Sequence, residues 1–451
     1  MKNNDENNKE FYLGRKAVFI PIIFLIISII TLVILKRASL KTFWIIGLFA
    51  IFLMYLLSKN KKDFGSKCVE NLKSNTLLTC ILVFILAGIL SSILKVTGVS
   101  KALLIVFINI GVGPEFVPAI MFIICCVIST FIGTNTGTYS IVVPIFLPIA
   151  VSLNCNPALA LGAIMCGGGF GDNLSPISDT TIISINTLKV NLLDTLKARI
   201  KVSLGCAFVS TIIFIILGHL MITNPTENLT EYPGDSLIPL LMLFVFVLMI
   251  ILLIKKKDLI SVLLICDVVA IVLAMLLGIV SFGDMFSANS PIISGIEGVF
   301  GVIVFWILLF ILTEFIPKDF LEEYIDKKVK NSKSESKTNG FVALSIVASV
   351  LIISNNTASM SLIGKYIDRC FRNKTQIEKA NIFDGLSCAT STLIPYNTAV
   401  MLMITLAYGT GCLPENFSVL SIVMFSINSM LLLITYMFKA IYTPRRKLKK
   451  A

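Results

Sequence analysis

The chain is poor in charge and nearly devoid of histidine. Asp, Glu, Lys and Arg make up 14% of its 451 residues, and there is one His, His219. Soluble domains carry about 25% charged residues. The shortage leaves no room for a sizeable soluble domain. A single His, at the edge of an apolar run, leaves no Ser/His/Asp set, and no zinc-type spacing occurs. No G-x-x-x-x-G-K-[ST] loop is present, which argues against an ATP-driven pump. There are eleven cysteines but no C-x-x-C pair, and Cys80, Cys125, Cys126, Cys166, Cys206 and Cys266 lie in apolar runs. They read as small buried hydrophobes. No cofactor is expected, and the chain does not read as an enzyme.

Apolar length is what the sequence has in abundance. It is 56% hydrophobic, with a mean hydropathy of +0.92. Runs near 18 residues recur, the length that crosses roughly 30 Å of hydrocarbon. The net charge of +12 does not point to nucleic acid, because most Lys and Arg sit in short loops between apolar runs. The first run, 17–35, is longer than the apolar core of a signal peptide and ends in Lys36 and Arg37, so it reads as a span.

Spans are predicted near 17–35, 42–57, 77–94, 158–187, 202–222, 237–254, 259–281, 298–316, 380–408 and 417–438. Two further segments, 115–153 and 340–364, are cut by polar residues: GTNTGT at 133–138 and SNNTAS at 354–359. If both are re-entrant hairpins, the outer loops hold only Lys36, Arg37, Lys41, Lys95 and Lys101. The acidic loops 223–236 and 282–297 then lie outside. If both segments cross, Lys189, Lys197, Arg199, Lys201 and the lysines of 255–257 and 317–339 move outside and the asymmetry nearly vanishes. The positive-inside rule favours hairpins. The two halves then read alike with opposite topology, an inverted repeat. The expected fold is an all-α polytopic membrane protein of about ten transmembrane helices, two re-entrant hairpins and broken helices. The expected parts are a cytoplasmic tail 1–16, a first repeat 17–222, an extracytoplasmic loop 223–236, a second repeat 237–438 and a basic cytoplasmic tail 439–451.

One stretch organises the rest: GGGFGDNLSPISDTT at 167–181. Broken backbone is tolerated at membrane depth only where protein or a water-filled cavity surrounds it, and intramembrane carboxylates are costly. The glycines and Pro176 predict an unwound segment that turns Asp172 and Asp179 into one pocket. Ser175, Ser178, Thr180 and Thr181 add neutral oxygens of the kind a hard cation takes. The alternative role for either acid is to cap a half-helix. Thr134, Asn135 and Thr136 at one hairpin tip, and Asn355, Asn356 and Thr357 at the other, can ligate a cation or cap freed helix ends. In the second broken helix Asp384 and Asn397 are further candidates, with Asp384 expected close to the inner interface. Asp267 is a lone acid within a span.

The stretch 169–181 resembles the G-x-F-G-D-x-x-S-P-x-S-D-T-T signature of NhaC-type sodium/proton antiporters. GTNTGT with Val143, Pro144 and Ile145 resembles that family's G-T-x-x-G-T…P-I segment. Asp384, Gly385 and the LIPYNT of 393–398 resemble its D-x-G…L-I-P-W-N-T stretch. Tyr396 stands where the family usually has Trp, and Asn135 and Thr136 where a Ser-Trp pair is common. The resemblance implies a secondary antiporter of a bacterial inner membrane, with both termini cytoplasmic. Sodium would bind transiently at Asp172 and Asp179, with sodium and protons exchanged across the lipid bilayer by alternating access. A homodimer is left open. The family also holds malate–lactate exchangers, so a coupled carrier of a small organic anion or amino acid is the second expectation. The absence of Lys or Arg from the broken segments near the tips favours the inorganic cation.

Overall fold

The computed structural model describes residues 11–35, 40–73, 75–221, 238–285, 287–315, 329, 334–353, 355–414 and 417–442. Among these residues the regular structure is helical, apart from one isolated bridge between Phe11 and Ser58. Seven helices are long and apolar enough to cross a membrane, and five shorter ones are apolar. The chain is an all-α, multi-pass membrane protein. The loop 223–236, most of 317–339 and both terminal tails lie outside the described residues.

The chain divides into two compact units. The first takes residues 1–103, 235–320 and 404–421. Its helices Asn75–Thr97 and Pro291–Glu314 meet backbone to backbone at Gly88 and Gly295. A Cβ built on Gly88 would lie 2.6 Å from the Gly295 carbonyl, so neither position admits a side chain. The indole of Trp44 donates to the Gly301 carbonyl at 2.7 Å, and Trp306 stacks on Phe84. Asp267 is buried in the helix Leu259–Leu276 of this unit, and neither carboxylate oxygen has a partner among the described residues.

The second unit takes residues 104–234, 321–403 and 422–451 and holds the candidate site. Its principal helices are α1 (Val117–Ile132), α2 (Asn135–Ser152), α3 (Pro157–Leu174), α4 (Asp179–Leu188), α5 (Leu192–Leu220), α6 (Glu335–Ile353), α7 (Asn356–Cys370), α8 (Gln376–Ser391) and α9 (Ile427–Ile441). Helices α1 and α2 pack on each other around a tip at Gly133 and Thr134, and α6 and α7 do so around Asn355. Gly133 has φ +80°, a left-handed conformation that favours glycine, and it ends α1. Thr134 and Asn355 then cap the returning arms, accepting from Gly137 N at 3.2 Å and Ala358 N at 2.9 Å.

The structure corrects the expectation for the glycines. Residues 167–171 are helical, and α3 breaks only at Ser175–Ser178, where Pro176 cannot donate to the ladder. The glycines serve close packing instead. A Cβ on Gly167 would lie 2.7 Å from the Phe122 carbonyl in α1, and one on Gly171 would fall against Ser129. Small residues let α1 lie directly on α3, as in other membrane helix pairs. Ser129 Oγ and Tyr139 Oη complete the joint by donating to the Gly168 and Met165 carbonyls at 2.7 and 3.0 Å.

Helix α5 also starts earlier than the predicted span near 202. Asn191 caps it by accepting from Leu193 N and Asp194 N. Its first turns carry Asp194, Lys197, Arg199 and Lys201, whose charge masked the helix in a hydropathy reading. Farther along, Leu204, Phe208, Ile212, Ile216 and Leu220 are exposed at four-residue spacing, an apolar stripe suited to lipid. His219 is exposed in the last turn.

The close packing is testable. Gly171→Ala should lower the thermal stability of the purified protein by about 1–3 kcal/mol, the range for overpacking a filled interior. Gly205→Ala, on the exposed face of α5 with no atom within 4 Å of the new Cβ, should be neutral or stabilising by up to about 1 kcal/mol. Equal unfolding temperatures for the two variants would contradict the packing role.

Candidate functional site

The break in α3–α4 places Asp172, buried at 7% exposure, two residues before the end of α3. Its Oδ1 accepts from Ser178 Oγ at 2.7 Å. Ser178 and Thr180 share a hydrogen bond at 2.9 Å, and Thr180 Oγ1 reaches the Asp172 carbonyl at 3.3 Å. A carboxylate, a carbonyl and two hydroxyls thus gather where the chain leaves its helical ladder. Ser175 is buried but turned to local work, its Oγ accepting from Ile177 N. Asp179 is exposed as the first residue of α4. The two acids therefore do not share one buried pocket: one is enclosed and the other open.

Asp384 is buried at 0% exposure in α8, not solvated at an interface. It forms an ion pair with Arg199, which is equally buried. The guanidinium also binds the Asn173 carbonyl, Thr181 Oγ1 at 3.0 Å and, through Nε, Asn381 Oδ1 at 2.8 Å. The Asn173 carbonyl belongs to the last turn of α3, where helical partners run out, so the Arg satisfies an orphan acceptor as well as a charge. Ser203 supports Asn173 by donating to its Oδ1 at 2.9 Å. Sequence reasoning missed Arg199 because it looked like one of several loop cations. Its only signal is that it precedes the predicted span near 202 by less than one helical turn.

Cys388 joins the two acidic positions. Its thiol donates to Asp384 Oδ1 at 3.3 Å and lies 3.4 Å from Thr180 Oγ1. Asn356 Nδ2 donates to the same sulfur at 3.5 Å, which brings the second hairpin tip to the site. The Asn356 amide oxygen is buried and has no donor among the described residues. The first tip meets the break from another side: a Cβ on Gly133 would lie 3.1 Å from Ser175 Oγ. Asn135, Thr136 and Thr357 are half-buried in the first turns of α2 and α7. Asn397 is buried and caps the following helix, accepting from Ala399 N at 3.0 Å. Tyr396 ties the second break to α6 through the Leu351 carbonyl. Among the described residues no three His, Cys, Asp or Glu form a resident metal cluster.

An ion pair buried this deeply is strongly destabilising to break from one side, by about 3–5 kcal/mol. Arg199→Gln and Asp384→Asn should each lower the thermal stability of the protein in detergent, and Asp384→Asn combined with Arg199→Gln should recover much of the loss. Additive losses in the double variant would show that the two groups act separately.

Comparison with known proteins bears on this site. Residues 12–219, which include α1–α4 and all but the last residue of α5, match the model of the Na+/H+ antiporter family. The chain is 28% identical over 167 residues to the Na(+)/H(+) antiporter NhaC of Alkalihalophilus pseudofirmus, covering 37% of this chain and 36% of that protein. It is 29% identical over 219 residues to the malate-2H(+)/Na(+)-lactate antiporter of Bacillus subtilis, covering 46% and 45%. An uncharacterised Na(+)/H(+) antiporter of Haemophilus influenzae is 26% identical over 170 residues, covering 38% and 36%. Each match spans less than half the length of the relative. Over its first half, then, the chain is similar to the Na+/H+ antiporter family, including an antiporter of the NhaC type.

Proposed function

We propose that the protein exchanges sodium for protons across a bacterial plasma membrane and that Asp172 is the group the two ions share. The carrying observation is the partition of charge. Arg199 compensates Asp384, while among the described residues the Asp172 carboxylate accepts from the neutral hydroxyl of Ser178. One carboxylate is thus left to take either a proton or a cation, which is the minimum that coupling requires. Ser178, Thr180, the Asp172 carbonyl and the unpartnered amide oxygen of Asn356 supply neutral oxygens for a hard ion that must leave again. Asp179, exposed at the start of α4, serves the approach of the cation. Thr134, Asn135, Thr136, Asn355 and Thr357 form the tips that close around the breaks, and Asn397 holds the second break in shape.

The same reading takes the two hairpins as re-entrant, the two halves as an inverted repeat and both termini as cytoplasmic, with alternating access by movement of one repeat against the other. Two features support it. Each half contains a hairpin whose returning arm is capped by Thr134 or Asn355, followed by a helix broken at Ser175–Ser178 or near Pro395. Each compact unit also draws matching stretches from both halves. A second reading, a sodium- or proton-coupled carrier of a small organic anion or amino acid, follows the name of the B. subtilis relative.

In proteoliposomes a sodium gradient should drive a pH change, and labelled malate or lactate should not accumulate. The reverse result would favour the second reading. Asp172→Asn keeps size and hydrogen bonding but cannot titrate, so sodium-dependent proton flux should fall to background. Asp179→Asn should reduce flux without abolishing it. Because the ions compete for one carboxylate, lowering the pH should raise the sodium concentration needed for half-maximal flux. A well-folded Asp172→Asn variant with near-normal exchange would refute the assignment.

Cysteines introduced at 223–236 should react with an impermeant reagent from outside, and those at 317–339 only after permeabilisation. The opposite pattern would sink the hairpin topology.

A further inference from the structure

A second feature of the same unit has no place in cation exchange. The first turns of α5 and α8 and the last turns of α9 enclose a cavity of about 380 Å³. Arg199 and Tyr436 line it, and both are buried, at 0% and 1% exposure. Arg199 Nη2 and Tyr436 Oη have no hydrogen-bond partner among the described residues. Two enclosed donors without acceptors are costly, and a guanidinium edge is suited to a planar oxygen pair. Lys374 and Lys439 also line the cavity. Lys374 donates to the Tyr442 carbonyl at 3.2 Å, while Lys439 is exposed. The one acid on the wall, Glu378, is turned back into the capping box of α8, accepting from Thr375 N and Oγ1 at 2.9 and 3.1 Å. The remaining wall, including Val202, Ile377, Ile382 and Phe438, is apolar.

We infer that this cavity is a binding site for a small monocarboxylate. The charges set the valence: with Asp384 set against Arg199 and Glu378 against one lysine, a single positive charge remains. The walls and volume set the body, since a halide would leave the apolar surface uncovered and could not bridge two separate donors. The carboxylate accepts from Arg199 Nη2 and Tyr436 Oη, its short aliphatic part lies on the apolar wall, and the lysines attract it. This site stands apart from the cation-exchange reading and can be tested by binding alone.

The test uses the full-length protein in detergent, at fixed pH, ionic strength and sodium concentration, with butyrate replacing chloride. Constant sodium holds the cation site unchanged. Butyrate should raise the unfolding temperature saturably over chloride, and its methyl protons should show saturation transfer from the protein. Tyr436→Phe keeps the ring, which packs on Gly385, and removes the donor. It should weaken butyrate binding about tenfold, the effect of one lost charge-assisted hydrogen bond. Lys439→Gln removes charge at an exposed position and should weaken it by a smaller factor. If Tyr436→Phe fails to fold, Lys439→Gln and the saturation-transfer signal decide. No butyrate effect beyond chloride, or undiminished binding in the folded variants, would overturn the proposal.

Discussion

The buried pair of Arg199 with Asp384 is the interaction on which the rest of the second unit depends. Its guanidinium reaches a carboxylate and an amide on α8, a hydroxyl on α4 and a carbonyl at the end of α3. Four helices are therefore pinned to one cation. A charge at this depth is tolerated only when its partners are all in place, because each ion costs several kcal/mol to desolvate. The pair is thus weak as a source of net stability and strong as a constraint on geometry. It obliges the break in α3–α4 to sit beside α8, and that places Asp172, Thr180 and Cys388 within reach of one another.

The close packing of α1 on α3 complements that constraint. Gly167, Gly168 and Gly171 bring α1 and α2 against the outer face of α3, while Arg199 and Ser203 hold its end from α5. A helix gripped on both sides can afford an interruption at Ser175–Ser178. The freed groups find local partners: Ser175 Oγ takes Ile177 N, and Thr180 Oγ1 takes the Asp172 carbonyl. What remains without a strong partner is the Asp172 carboxylate, and this residual need makes the break a candidate for ion handling.

Much of this was legible in the sequence, and the failures have physical causes. The membrane class and the interrupted segments, the break after Leu174 among them, followed from apolar length broken by Gly, Pro and acids. The glycines misled because a glycine run suits both an unwound segment and a tightly packed helix, and only the neighbour across the contact, Phe122 or Ser129, decides which. Asp172 and Asp179 looked equivalent on spacing, yet the turn at Ser178 leaves one buried and one exposed. Arg199 stayed hidden because loop cations and the first turns of a charged helix have the same composition. Its partner is 185 residues away in sequence, so no local pattern could pair them.

The position of Arg199 ties the geometry of the break to its electrostatics. The guanidinium neutralises Asp384, which Cys388 links to Thr180 and so to the surroundings of Asp172. How fully that single positive charge is matched by Asp384 is therefore felt near Asp172 through a short chain of hydrogen bonds, without a large conformational change.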